Sequence, residues 1–127
     1  MKHKASKRKP LVKNLLLLEG HTRAGKFLLG KVLDGFEQIE HFQYVGLIEQ
    51  LPFLERLGCI SRDAAMSLLQ IAVDENAYHL RIGRNLNFRN SDSSSLLKSF
   101  FLDRYIPRAF ESDNPEIVQE FKKTKRY

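Results

Sequence analysis

Gly20, Gly25 and Lys26 have the spacing of a phosphate-binding loop, in which four residues separate a glycine from a Gly-Lys pair. In such a loop, successive backbone N–H groups and the N-terminus of a helix converge on one anion. Gly20 permits a tight turn, Gly25 lets the backbone approach a phosphate, and Arg23 and Lys26 add positive charge. The alternative is a turn whose glycines serve only to reverse the chain.

The residue after the lysine bears on metal use. In loops that bind ATP or GTP it is a serine or threonine that ligates Mg²⁺, but here it is Phe27, which cannot ligate a metal. The loop therefore predicts phosphate chemistry that needs no magnesium bridge. The four histidines lack zinc-ligand spacing and Cys59 is the sole cysteine, so no metal site is expected.

The segments around this loop predict an α/β fold. Residues 11–20, "LVKNLLLLEG", form a nearly continuous apolar run that favours a strand buried on both faces, and "GKFLLGKVLDGF" favours a helix directly after the loop. Residues 39–46, "IEHFQYVG", alternate as a second strand would. We expect a P-loop-type three-layer fold with a short parallel sheet flanked by helices. With only two strands, the domain is either mostly helical over a minimal sheet or the front part of a larger, incomplete fold.

Two helices are predicted in the middle of the chain. Residues 47–59 favour a helix that is disturbed at Pro52 and ended by Gly58. Ser61 is a suitable N-cap for the next helix, which extends to residue 83 and is the longest element predicted. Its apolar positions are typical of core packing.

The last third of the chain begins with a polar loop over residues 84–95. An amphipathic helix is predicted after it, ending before Pro107. The charged tail, residues 111–127, has about one turn of helix at residues 117–121. Residues 11–110 are therefore expected to form one domain.

The formal charge of +6 and the pI near 9.6 make an anionic partner plausible. Part of the excess lies in residues 1–10, "MKHKASKRKP", which predict a solvated, disordered basic arm or, alternatively, a contact with nucleic acid or a membrane surface. A single cysteine favours a reducing compartment, and no apolar run is long enough for a membrane span. The sequence predicts a soluble, cytoplasmic protein.

The segment "GHTRAGKFLL" resembles the loop of sulfotransferases, a family within the P-loop nucleoside triphosphate hydrolase superfamily. The common bacterial form of that loop reads G-x-P-R-S-G-T-T-L-L. The positions that match are Gly20, Arg23, Gly25, Leu28 and Leu29, and those that depart are Thr22, Lys26 and Phe27. The resemblance implies that PAPS (3′-phosphoadenylyl sulfate) binds through Gly20, His21, Thr22, Arg23, Ala24, Gly25, Lys26 and Phe27, with Arg23 on the 5′-phosphosulfate.

A second segment, residues 83–99, is similar to the arginine- and serine-rich stretch that follows the second helical region in bacterial sulfotransferase-like proteins. The resemblance adds Arg84, Arg89 and Ser93 to the cofactor-binding set, because guanidinium forks and hydroxyls suit a phosphate or a sulfated acceptor. The alternative is a polar loop in which Asp92 or Ser93 caps the next helix and Arg84 caps the previous one.

The implied reaction moves a sulfuryl group from PAPS to a hydroxyl of a carbohydrate or other small acceptor. Such a transfer needs a base near the acceptor, and the resemblance makes Glu40 and His41 the catalytic candidates. They lie on opposite faces of the predicted strand, so at most one can point into the site. The alternative for a strand histidine is a packed or surface residue.

Two other functions remain open from the sequence. One is a P-loop kinase or NTPase with Lys26 on the β- and γ-phosphates of ATP, against which Phe27 counts. The other is a basic, non-enzymatic binding module, although nucleic acid is not an expected partner because no aromatic-interleaved basic motif is present. The family normally continues into further strands, so a truncated or inactive relative is also expected.

Overall fold

The computed structural model describes residues 9–41, 43–111 and 114–124, and all regular structure in these ranges is helical. The predicted α/β fold with a parallel sheet is therefore wrong. The helices are α1 (Lys26–Leu33), α2 (Gly46–Arg56), α3 (Arg62–Arg81), a 3₁₀ turn (Leu96–Lys98), α4 (Leu102–Phe110) and α5 (Pro115–Thr124).

Neither predicted strand forms. Residues 11–20 and the described part of residues 39–45 are irregular segments before helices α1 and α2. Gly46, the last residue of the second predicted strand, already belongs to α2, and Phe42 lies outside the described residues. A strand is stable only when its backbone pairs with another strand, and the described ranges offer none. The apolar run at Leu15–Leu17 is more than half exposed instead of buried.

Helix α1 begins where the sequence predicted, directly after the glycine loop. Only Gly30 among its residues is buried, while Phe27, Leu28 and Val32 are about half exposed or more. The predicted packing face of α1 is therefore uncovered in the part of the chain that is described.

Helices α2 and α3 pack against each other, and each ends shortly before a glycine, Gly58 and Gly83 respectively. Gly58 follows α2 with φ of 73°, and the amide of Cys59 donates to the carbonyl of Leu54 at 3.0 Å, which closes the turn. The Ser61 hydroxyl accepts the amide of Ala64 at 3.2 Å and caps α3, as predicted. Helix α2 continues through Pro52, so the predicted disturbance there does not end it.

Gly83 joins α3 closely to α4. Its φ is 74°, and a Cβ built on it would overlap the backbone carbonyl of Arg108. The close approach brings together a small core of Leu80, Leu96 and Tyr105, each at most 4% exposed. Glycine is needed here both for its positive φ and for its missing side chain.

The C-terminal part differs from its prediction in two places. The helix expected after the polar loop is split into the 3₁₀ turn and α4, and Pro107 lies within α4 rather than beyond its end. The tail forms ten residues of helix α5, longer than the single turn predicted, because Ile117 and Val118 pack against the buried side chains of Leu11, Tyr78 and Ile82.

Residues 1–8 of the predicted basic arm lie outside the described ranges, and the first buried residue is Leu11. The buried carboxylate of Asp74 accepts the backbone amides of Leu11 and Val12 at 2.9 and 3.0 Å, which attaches the start of the domain to α3. Among the described helices, none combines the length and apolar character needed to cross a membrane.

Candidate functional site

The loop between Gly20 and Lys26 lies immediately before α1. Gly25, the N-cap, has φ of 79°, and Arg23 has φ of 67°, a conformation that L-residues rarely adopt, whereas the intervening Ala24 has no positive φ. Alternation of left- and right-handed backbone conformations turns neighbouring amides toward one side, as in anion-binding nests. The sequence placed this loop and its helix correctly, although the strand expected before it is missing.

Two hydrogen bonds shape the loop. The amide of Ala24 donates to the carbonyl of His21 at 3.1 Å, and the Lys26 ammonium donates to the carbonyl of Gly20 at 2.7 Å. The second bond draws the lysine back across the loop, although Lys26 itself belongs to α1. A bound anion would offer the ammonium a charged acceptor in place of a neutral carbonyl, and charge-assisted bonds are roughly twice as strong.

The loop is open to solvent. All residues from Gly20 to Gly25 are exposed, and the first turn of α1 contains no acidic side chain that would repel an anion. Phe27 is 46% exposed at the position where a nucleotide-binding loop would place its magnesium ligand. Within the described ranges, no cluster of three or more histidine, cysteine, aspartate or glutamate side chains could hold a metal ion.

The two catalytic candidates lie at the other end of α1. Eight residues of helix separate the loop from Asp34, a rise of about 12 Å. Asp34 and His41 are both buried, and their Oδ1 and Nδ1 atoms are 2.9 Å apart. The Nε2 atom of His41 lies 3.0 Å from the carbonyl oxygen of Ser94.

Both ring nitrogens of His41 therefore face oxygen acceptors. Each nitrogen thus has a polar partner within hydrogen-bond distance inside the fold. His41 is 4% exposed, so it is packed inside the protein rather than open to a substrate. To act as a base, its side chain would have to break one of these contacts.

Tyr105 connects His41 to Glu40. Its hydroxyl, on a fully buried side chain, accepts the backbone amide of His41 at 2.8 Å and donates to a Glu40 carboxylate oxygen at 3.1 Å. The guanidinium of Arg108 donates to both oxygens of Glu40, at 3.0 and 3.1 Å, and lies over the Tyr105 ring. Arg104 adds bonds to the carbonyls of Glu37 and Ile39. We call Asp34, Glu40, His41, Arg104, Tyr105 and Arg108 the α1–α4 clamp.

The clamp shifts the pKa of two of its groups. Burial by itself raises the pKa of Glu40, but the hydrogen bonds and charge of Arg108, with help from Tyr105 and Arg104, outweigh it and hold the pKa below its ordinary value. The pKa of Tyr105 is raised mainly by burial; the hydrogen bond from the His41 amide lowers it, but burial together with the charge and hydrogen bond of Glu40 outweighs that effect. At neutral pH Glu40 is a carboxylate already bound by a guanidinium, which makes it a poor proton acceptor.

The second predicted segment forms a polar loop of its own. Arg84, Arg89 and Ser93 are all exposed, and the Arg89 guanidinium lies 3.6 Å from the carboxylate of Asp92. The backbone amide of Arg84 donates to the carbonyl of His79 at 2.8 Å and ends α3. Ser95, not Asp92 or Ser93, caps the 3₁₀ turn.

Asn87 holds this polar loop together. Its side-chain amide donates to Asp92 and Ser94, both at 3.2 Å, and its backbone carbonyl accepts the amide of Leu96 at 2.7 Å. Through the carbonyl of Ser94 the loop also contacts His41. The structure thus joins this segment to the α1–α4 clamp, while its described bonds join none of Arg84, Arg89 and Ser93 to the Gly20–Lys26 loop.

Sequence reasoning missed most of the clamp. Asp34, Arg104, Tyr105 and Arg108 were not singled out, and three of these four reach the segment at residues 37–41 over 64 to 68 positions of sequence. The spacing of Arg104 and Arg108 on one face of α4 is the available signal, since i and i+4 lie side by side on a helix.

The chain matches no protein-family model, no curated protein and no solved structure. A function is therefore proposed from the geometry of the Gly20–Lys26 loop and of the clamp.

Proposed function

We propose that the Gly20–Lys26 loop binds the 5′-phosphosulfate of PAPS without a divalent ion, and that the chain is a sulfotransferase-like protein acting on a hydroxyl of a carbohydrate or small acceptor. The observation that carries this proposal is the backbone of the loop. Positive φ values at Arg23 and Gly25, directly before a helix N-terminus, are of the kind found in anion-binding nests, which supports the proposal.

The side chains around that backbone suit a phosphosulfate better than a magnesium nucleotide. Arg23 is exposed and carries a planar guanidinium that can bind two oxygens, and Lys26 can exchange the Gly20 carbonyl for an anion. Phe27 supplies no metal ligand. In sulfuryl transfer the acceptor hydroxyl oxygen attacks sulfur and its proton passes to a base, for which the exposed His21 of the loop is the candidate. The bond from sulfur to the 5′-phosphate oxygen breaks, and cations stabilise the charge that the leaving phosphate gains.

The contacts of the clamp favour a structural role for Glu40 and His41 over a role as the catalytic base. Their polar atoms are occupied by Arg108, Tyr105, Asp34 and Ser94, at the end of α1 away from the loop. His21 is the exposed histidine in the loop itself, and we propose that it contacts the acceptor. We also propose that Arg84, Arg89 and Ser93 contact the nucleotide or the acceptor.

Calorimetric titration with 3′,5′-adenosine bisphosphate, the product of PAPS, tests the binding step. With EDTA present we expect saturable binding that Arg23→Ala weakens about 10- to 100-fold, the size of one lost charge-assisted contact. Arg56→Ala is the matched control, since Arg56 is an exposed arginine in the last turn of α2 and should not affect binding.

Binding of ATP that requires magnesium, without binding of the bisphosphate in EDTA, would instead identify a kinase or NTPase loop. Equal affinity of Arg23→Ala and the unchanged chain would show that the loop is not the site. Transfer itself is tested by incubating the chain with ³⁵S-labelled PAPS and simple sugars. Label on the sugar that is lost in both Arg23→Ala and His21→Ala is the result expected.

A further inference from the structure

The segment just before the loop, residues 13–19, makes no backbone hydrogen bond within the described part of the chain. Its sequence is "KNLLLLE", and none of its amides or carbonyls bonds to another described residue. Leu15, Leu16 and Leu17 are 58%, 60% and 52% exposed. An exposed apolar segment whose backbone makes no bond to other described residues is a template for pairing with another strand.

Helix α1 extends the same uncovered surface. Five of its eight residues are large and apolar, yet Leu28, Leu29 and Val32 are 69%, 49% and 57% exposed. A helix that is apolar on most sides is normally buried. Segment and helix together leave seven large apolar side chains about half exposed or more: Leu15, Leu16, Leu17, Phe27, Leu28, Leu29 and Val32.

We propose that two copies of the chain associate by antiparallel pairing of residues 13–19 about a two-fold axis at Leu16. In that register Leu15 lies opposite Leu17 of the other copy, and Lys13 lies opposite its Glu19. Both charges are exposed, and the pairing produces two cross-strand ion pairs, one at each end of the leucine run. A parallel arrangement would instead place lysine against lysine and glutamate against glutamate, so the charges select the antiparallel one.

The apolar area is sufficient for such an interface. A fully exposed large apolar residue presents about 150–200 Å², so complete covering of the seven side chains in both copies would remove roughly 1,200–1,600 Å² from water. Stable interfaces of standard size bury about 1,600 Å² in total. Pairing would also turn residues 14–18 into the strand that their sequence favours, directly before the phosphate loop.

Charge reversal tests the register. Sedimentation velocity of the full chain over a range of concentrations should show a monomer–dimer equilibrium. Lys13→Glu and Glu19→Lys should each weaken the dimer about 10-fold or more, because each places like charges opposite at both ends. The double variant Lys13→Glu/Glu19→Lys should restore the dimer. Glu111→Lys, a reversal at an exposed residue of α4's C-cap, is the control and should leave the equilibrium unchanged.

A disulfide tests the axis. In a Cys59→Ser background, Leu16→Cys places two thiols directly opposite each other, at a Cα separation of about 4.5–5.5 Å that a disulfide can bridge. Leu17→Cys places them diagonally at about 7–8 Å, beyond ready bridging. Mild oxidation should therefore crosslink the first variant much faster than the second.

A chain that stays monomeric at all concentrations and shows no Leu16→Cys crosslink overturns the proposal. A dimer that both single reversals leave intact also overturns it, since the association would then use another surface. Restored dimer in the double variant together with selective crosslinking at residue 16 establishes the antiparallel pairing.

Discussion

The two ends of α1 are held in opposite ways. At its start, residues 20–25 of the loop are all exposed, and two local hydrogen bonds shape the loop, one of them from the Lys26 side chain. At its end, Asp34 is 3% exposed and belongs to a clamp that connects residues 34–41 with α4 through a buried histidine, a buried tyrosine and a bidentate arginine.

If the loop binds an anion as proposed, the two ends of this short helix divide fold stability from ligand binding. Regions that bind ligands are drawn from the less stable parts of a structure, because they must be accessible and able to change their contacts. The clamp end has its polar groups occupied and contributes to the fold, whereas the loop end has amides and cations to offer. Substitutions at the two ends should therefore differ in kind, with a large effect on stability at one and on binding at the other.

The largest effect is expected where α3 meets α4 beside the clamp. Gly83→Ala adds a Cβ that overlaps the Arg108 carbonyl at a residue with positive φ, and should lower the free energy of unfolding by about 4 kcal/mol. Gly58→Ala is the matched control, with φ of 73° but no atom within 4 Å of the added Cβ, and should lose only about 1 kcal/mol. Urea denaturation measures both, and equal losses would mean that Gly83 matters only for its φ.

Breaking the buried contact between Asp34 and His41 should cause the next largest loss of stability. Asp34→Ala removes the carboxylate that bonds to Nδ1 of the buried His41, and the loss of one partner of a buried hydrogen bond costs about 2 kcal/mol. Asp103→Ala, which removes an exposed carboxylate in the first turn of α4, should change the free energy of unfolding by less than about 0.5 kcal/mol. Similar losses in the two variants would show that the Asp34–His41 contact does not stabilise the clamp.

A smaller loss in the free energy of unfolding should appear as pH falls. Because the pKa of Glu40 is lowered in the folded state, the unfolded chain binds a proton before the folded one does. The stability from Glu40 is complete above the ordinary glutamate pKa and is lost as pH falls through the lowered folded pKa. Glu40 is 43% exposed, so solvent screening limits its share to less than about 1 kcal/mol.

Glu40→Gln separates this share from other acid effects. The variant should be slightly less stable at neutral pH, and its stability should depend less steeply on pH over that acidic window. Urea titrations at several pH values measure both slopes. Identical slopes for the variant and the unchanged chain would contradict the role of Glu40 in the clamp.

The sequence predicted the start of α1, which depends on neighbouring residues, but could not predict the clamp at its end. Gly25, Gly58 and Ser61 act through their own backbone or the next turn, so their loop and helix ends were readable from the sequence. The clamp depends on contacts between residues 34–41 and α4 that are more than 60 positions apart, which no periodicity reports. The leucine run at residues 15–18 misled for a related reason, because strand formation depends on a partner and not only on an apolar pattern.

Among the variants of this comparison, Lys26→Met should change the free energy of unfolding least and ligand binding most. Lys26→Met keeps the aliphatic stem and removes the ammonium that donates to the exposed Gly20 carbonyl, so the free energy of unfolding should change by less than about 0.5 kcal/mol. The same change removes a cation from the proposed phosphate site and should weaken binding of 3′,5′-adenosine bisphosphate at least about 10-fold. Lys31→Met, in the last turn of α1, removes the same charge away from the loop and should leave binding intact. If Lys26→Met instead destabilised the chain as much as Asp34→Ala, the loop would be part of the structural framework, and the contrast between the two ends of α1 would fail.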